Sequence, residues 1–179
     1  MGYFYGSPHR IDEEFRTAKR LSLRCSLEKI EGSPCYVVEA VTAYGTYTIW
    51  IDPQHGYNIA KAQVVRSSDN GDLFYEHGPM ENERIAVSMN HVRFEKIGNL
   101  WVPMACDTYM SREAAQGYKQ RSHRHHKRTE VLINPDHEAL RSFQPDYIKD
   151  GARVFIKGLP TTIRYRWQKG ELIPMPQTR

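Results

Sequence analysis

The run GTYTIWIDPQHGYNIAKAQVV, Gly45 to Val65, decides the class of fold. Its first half alternates Tyr47, Ile49 and Ile51 with Thr46, Thr48 and Trp50, the period-two pattern of a strand with one face turned to a core. DPQHGY is a turn, with Pro after Asp and Gly where a positive φ is expected. NIAKAQVVR then returns as a second strand. The unit is an antiparallel hairpin, and the rest of the chain is read by extending it in both directions.

Upstream, CYVVEAVTA and LSLRCSLEKI are strands joined by a turn at Glu31-Gly32-Ser33-Pro34. Before them, Asp12 caps a short helix, DEEFRTAKRL, with acids in its first turn and basic residues in its last. Downstream, SSDNGD is a loop, and RIAVSMNHVRFEKI and LWVPMACDTYM flank a two-residue turn at Gly98-Asn99. Residues 107–133 leave that hairpin as a strand, turn in a polar loop near Ala114–Gly117, and come back as a strand running to TEVLI. NPDHEALRSF is a second short helix with Asn134 as cap and Pro135 in its first position. Asp150-Gly151 opens the strand ARVFI, and TTIRYRWQKGELIP closes the chain as a hairpin around Lys169-Gly170.

The sum is nine or ten strands and two short helices with hairpin-length connections. That makes a mainly β protein built on a curved antiparallel sheet. The alternation of strand and helix that a parallel sheet needs is missing. Its 179 residues suffice for one domain, 1–179, with a core that needs neither disulfides nor metal. No apolar run approaches the ~18 residues of a membrane-spanning helix. MGYFYGSPHRIDEEF has no apolar run before its charges, so it does not read as a secretory signal. The chain is then either cytosolic or begins partway into a longer gene product. Cys25, Cys35 and Cys106 cannot all pair, and a Cys25–Cys35 bridge needs a register that the Glu31–Pro34 turn does not favour. Buried free thiols are the expectation.

The charge is concentrated. Between Tyr118 and Arg128 lie Lys119, Arg121, Arg124, Lys127 and Arg128 with no acid among them; taking those five from the formal net charge of +4 leaves −1. A chain that reads nucleic acid shows a broader basic footprint, interleaved with stacking aromatics, so nucleic acid is not an expected partner. In a strand His123 and His125 share one face with Arg121 and Lys127, while His126 takes the other with Arg124 and Arg128. Two histidines on one face begin a zinc or nickel site, but a third ligand is needed and the neighbouring cations oppose an ion, so no metal is expected. A charged strand that resists edge-to-edge pairing is the plain reading. A strand that faces anionic lipid headgroups through Arg121, Arg124, Lys127 and Arg128 is the functional one.

Signatures of catalysis are absent: there is no GxGxxG, GxxxxGK[ST], GxSxG, HExxH or paired CxxC. Asp12, Glu13 and Glu14 fit a helix N-terminus. The pairs Asp69 with Asp72 and Glu81 with Glu83 fit solvated loops. Cys106 has no base beside it in sequence. The expectation is no enzyme and no cofactor. Tyr47, Ile49, Ile51, Val64, Val92, Phe94, Trp101 and Met104 are the large apolar side chains of the strands. They either form the core or line a partly covered concave face that takes an apolar ligand.

Three stretches in this order, GTYTIWIDPQHGYNIAKAQVV, VRFEKIGNLWVPMACDTYMS and TEVLINPDHEALRSF, resemble a bacterial envelope group, the LolA-like lipoprotein-sorting superfamily, in its uncharacterised exported branch. Trp50, Asp52, Pro53, Gly56 and Tyr57 make one family-like hairpin. Gly98, Trp101 and Pro103 make the next, and Asn134 and Pro135 start the helix. The resemblance spans about residues 20 to 173. It implies a half-open β-barrel whose concave side is plugged by helices. It also implies a non-enzymatic role in the cell envelope or periplasm, binding a lipid, an acylated protein or another apolar ligand. The exported relatives carry a signal peptide and further N-terminal strands, which would make this chain the C-terminal part of a longer exported protein. The alternative is a scaffold or interaction module whose sheet is fully packed and has no cavity.

Overall fold

A computed structural model describes residues 9–67, 81–140, 148–156 and 163–175. Where the sequence suggests one domain over 1–179, the chain forms two compact units, Met1–Val131 and Leu132–Arg179. The first unit holds a short helix α1 (Ile11–Arg16) and strands β1 (Arg20–Leu23), β2 (Glu28–Ile30), β3 (Ser33–Thr42), β4 (Gly45–Asp52), β5 (Asn58–Ser67), β6 (Arg84–Ile97), β7 (Leu100–Glu113) and β8 (Lys119–Lys127). They make an eight-stranded antiparallel sheet in the order β1-β3-β4-β5-β6-β7-β8, with β2 paired to β3. From β3 onward each strand pairs with the next in sequence, so the sheet is a meander, and it is not closed into a barrel.

The Gly45–Val65 hairpin forms as its alternation requires. Tyr47 pairs with Val64 and Ile49 with Ala62. The Asp52 side chain accepts from the Gln54 N–H and starts a 3-10 turn at Pro53–His55, which ends at Gly56 with φ 69°. An added Cβ at Gly56 meets nothing closer than 3.7 Å, so Gly56→Ala is expected to cost only the left-handed backbone penalty, about 1–2 kcal/mol, read as a shifted urea midpoint. Upstream, the turn sits one residue earlier than its sequence suggests. Glu31 and Gly32 both take positive φ and set Cys35 opposite Glu28. The segment LSLRCSLEKI is broken into β1 and β2 by an ion-paired corner, where Arg24 bonds Glu28 and Glu39.

The helix near Asp12 exists, but Arg10 is its N-cap. Asp12 lies inside the first turn, paired with the Arg10 guanidinium at 3.1 Å. Phe15 packs edge-on to Tyr47, with ring centroids 5.9 Å apart. Beneath it lies the main core: Ala40, Tyr47, Val64, Ile85 and Val87, with Ile11, Ile49 and Ala62 beside them. All of these sheet residues share one face by register.

The other face has a core of its own, made of Cys35, Val37, Trp50 and Ala60, with Ile30 and Phe94 packed on it. Simple alternation would leave Trp50 on an open face. It is buried because β2 brings Ile30 over it, and its indole N–H donates to Glu28 at 2.8 Å.

Of the cysteines only Cys35 is fully buried; Cys106 is half-buried, Cys25 is exposed, and all three are free thiols. Glu83, read as a loop acid, is buried and paired with Arg112. Asp69 and Asp72 lie outside the described residues, as does most of SSDNGD.

The second unit contains β9 (Arg153–Ile156), β10 (Ile163–Gln168) and β11 (Glu171–Pro174) in the order β11-β10-β9. The Lys169-Gly170 hairpin places Gln168 opposite Glu171. The expected helix at 134–143 is not formed over its described part. Asn134 takes φ 50°, and a turn starts at Asp136, whose carboxylate accepts from the Glu138 and Ala139 N–H groups. Pro135 therefore precedes the turn, and residues 141–143 lie outside the described set.

Candidate functional site

An open groove of about 1010 Å³ lies in the first unit on the face of the sheet that α1 packs on. Its apolar floor includes Ile51, Ile59, Met89, Val92, Met104 and Met110, drawn from β4, β5, β6 and β7. Its far side is β8, which contributes Arg124, His126 and Lys127, followed by Arg128.

Register explains this meeting of oil and charge. Val87 pairs with Met110 and Met110 with Ser122, while Met89 pairs with Thr108 and Thr108 with Arg124. The groove face of the sheet therefore passes from methionine to cation across two strands. The His126 ring bonds the Thr108 hydroxyl at 2.9 Å, which holds the imidazole on that face.

The eight apolar residues singled out in the sequence divide three ways. Ile49, Ile51, Val92 and Met104 line the groove. Tyr47 and Val64 belong to the core under Phe15. Phe94 and Trp101 surround His55, Phe94 stacked at 4.9 Å and Trp101 edge-on at 4.7 Å. That last division has a backbone cause. The β6–β7 register slips between Asn90 and Arg93, where His91 takes φ 51°, and again between Arg93 and Phe94. Each bulge breaks the period-two rule, so Val92 and Phe94 no longer share surroundings although both are even-numbered.

Of the four cations singled out, Arg124, Lys127 and Arg128 line the groove. Arg121 lines a smaller depression of about 540 Å³ with Gln63, Ser88, Tyr109 and His123. Met89, Met110 and Ile59 were missed as lining residues. The alternation of β6 and β7 carries the two methionines, but nothing local tells a floor from a core.

The histidines split by face as strand geometry demands. His123 and His125 point away from His126, and both donate to Asp107 Oδ1, at 3.1 Å and 2.9 Å. The His123 ring also stacks on Tyr109 at 4.3 Å. The bond from His125, then that from His123, holds the Asp107 carboxyl below its ordinary pKa. Asp107 is a third potential ligand that the linear sequence did not show. Among the described residues, though, no three His, Cys, Asp or Glu side chains are gathered so as to hold a metal ion.

Another cluster contains the parts of a catalytic triad in the wrong order. Ser33 Oγ donates to Asp52 Oδ1 at 2.8 Å, and the His55 Nδ1–H donates to Asp52 Oδ2 at 2.7 Å. The carboxylate stands between serine and histidine, so the hydroxyl bonds the carboxylate and no imidazole, and the serine–histidine pair of a triad is not formed. It ties the β4–β5 turn to the start of β3. Cys106 lies in the groove, and burial pushes its thiol pKa up, away from the reactive thiolate.

No helix among the described residues is long and apolar enough to cross a membrane. In comparisons with family models, with curated proteins and with solved structures, nothing matches this chain.

Proposed function

We propose that the first unit binds an apolar ligand, a lipid or the acyl group of an acylated protein, in the groove between β4 and β8, and carries out no catalysis. The observation that carries this reading is the groove's construction: about 1010 Å³, open to solvent, with methionine and branched aliphatic side chains for a floor. Cavities of this size and lining suit chain-like hydrophobic ligands, and methionine adapts its shape to them. Sequestering ~200 Å² of acyl surface would contribute about 5 kcal/mol before ordering costs.

A LolA-like role in the bacterial envelope agrees with this reading and rests on the hairpin resemblance. The basic β8 residues would draw such a protein toward anionic membrane. A scaffold with a fully packed sheet fits less well, because the packed face continues into an open groove. Ile49 and Val87 belong to the cores, and Ile51, Ile59, Met89 and Met110, which pack against them, also line the groove.

The test is saturable binding of a neutral fluorescent naphthylamine probe, together with native mass spectrometry of gently purified protein. Saturable binding and a co-purifying lipid are expected. Met104→Glu, which sets a charge on the floor, should weaken the probe about tenfold or more, the scale of an uncompensated polar group in an apolar site. Absence of both a bound lipid and saturable probe binding would count decisively against the reading.

A further inference from the structure

The groove carries one chemical asymmetry that an apolar ligand alone does not explain. Among its described lining residues there is no Asp or Glu, whereas Arg124 and His126 of β8 border it on the groove face, with Lys127 and Arg128 at the end of the strand. The nearby acid does not offset them on that face. Asp107 is turned to the opposite side of the sheet, where it accepts from His123 and His125. Arg124 has the neutral Thr108 as its cross-strand neighbour, and His126 has Cys106. Arg128 lies near enough to Cys106 for its charge to act on the thiol, and its backbone N–H bonds the Met104 carbonyl at 2.7 Å. The cation thus sits beside the methionine floor.

Resting on the reading of the groove as an acyl site, we propose that its ligand is a single-chain amphiphile with an anionic head, a long-chain carboxylate. The tail lies along Met89, Met104 and Met110, and the head is held by Arg124 and Arg128. The guanidinium fork matches a carboxylate with two parallel N–H···O bonds. At the edge of an apolar groove such a pair is less screened by water than one on an open surface. The same cations select against a neutral ester and repel an amine.

The experiment uses the full chain with a neutral naphthylamine probe bound in the groove. Dodecanoate, methyl dodecanoate and dodecylamine compete for it at about pH 8, where the acid is ionised and the amine protonated. Dodecanoate is expected to compete about tenfold more strongly than the ester, with the amine weakest, as a charged hydrogen bond at a partly screened site would give. Added salt should reduce the advantage of the acid and leave the ester unchanged. The double variant Arg124→Gln, Arg128→Gln should remove the acid's advantage while keeping probe binding and Tm.

Equal competition by acid and ester, or an unchanged acid preference in the double variant, would overturn the inference and leave the apolar groove standing. Failure of the neutral probe itself to bind would remove the groove reading, and the inference with it.

Discussion

Replacing Tyr47 with alanine is expected to destabilise the first unit by about 3–5 kcal/mol, the usual range for truncating a buried aromatic. Tyr47 is 1% exposed and packs with Ala40, Val64, Ile85 and Val87 beneath Phe15. Its hydroxyl also has a structural task. The buried Arg66 guanidinium donates to it at 3.0 Å, so truncation removes a partner from a charge that cannot reach water. Burial pushes the phenol pKa up, so the hydroxyl stays protonated across the working range. Tyr47→Phe isolates the second effect and should cost about 1–3 kcal/mol. Urea titration of the full chain measures both. If Tyr47→Ala left the midpoint unchanged and abolished probe binding, Tyr47 would line the ligand site and the groove would extend under α1.

The second large effect is expected at Asp52, whose removal should cost about 3 kcal/mol. The carboxylate is 2% exposed and accepts three bonds, from Ser33 Oγ, His55 Nδ1 and the Gln54 N–H. Asp52→Ala loses the cap of the 3-10 turn, worth about 1 kcal/mol. It also removes the charged acceptor of three donors. With Ser33 Oγ still within reach of Gln54 Oε1 and His55 partly exposed to water, the further loss is that of a single hydrogen bond to a charged group, about 1.5–3 kcal/mol.

The pH dependence has a definite sign. Burial, the largest influence, raises the Asp52 pKa; the bonds from His55, Ser33 and Gln54 outweigh it, and the net shift is downward. A carboxyl depressed in the folded state contributes stability that is fully present above its unfolded pKa, about 3.9, and is lost as pH falls through the lower folded value. Below about pH 4 the wild-type protein should therefore lose stability more steeply than Asp52→Asn, measured as urea midpoint against pH. Parallel curves for the two proteins would show that Asp52 is not the titrating group.

These two residues show how far a linear reading reaches. Asp52 was legible as a turn residue because the D-P-x-x-G order is local, and the structure gives it that task with two further partners, Ser33 and His55. Tyr47 was legible as inward-facing, since alternation along β4 sorts side chains by face. Whether its face meets α1 or a ligand depends on where the helix lies, and no pattern within residues 45–65 contains that. Phe94 and Trp101 were grouped with the groove residues by size and apolar character alone, which does not separate the two faces of β6 and β7. The slips near His91 and Phe94 reset the faces; the first carries no glycine or proline to announce it, and the second sets Phe94 opposite Pro103 of β7.

The basic stretch behaved in the opposite way. Its division into His123 with His125 on one face and His126 on the other follows from strand geometry alone, and their contacts keep to it. That Asp107 would receive both rings on one side, and that Arg124 and Arg128 would border methionines on the other, could not be read from Tyr118–Arg128. Those neighbours come from β7, a strand whose register with β8 is set by the turn at Ala114–Gly117.

By itself, the sequence determined the strand succession, the hairpin turns, the antiparallel class and the alternation of charge along β8. Each of these follows from φ/ψ preferences and hydrophobic period within a few residues. Only the tertiary structure decided which part of the α1-packed face is covered and which part stays open as the groove, which bulges rotate Phe94 away from Val92, and which cations overhang the groove. Those outcomes depend on contacts between segments far apart in the chain, where the free energy lies in the pairing and is invisible in either partner alone.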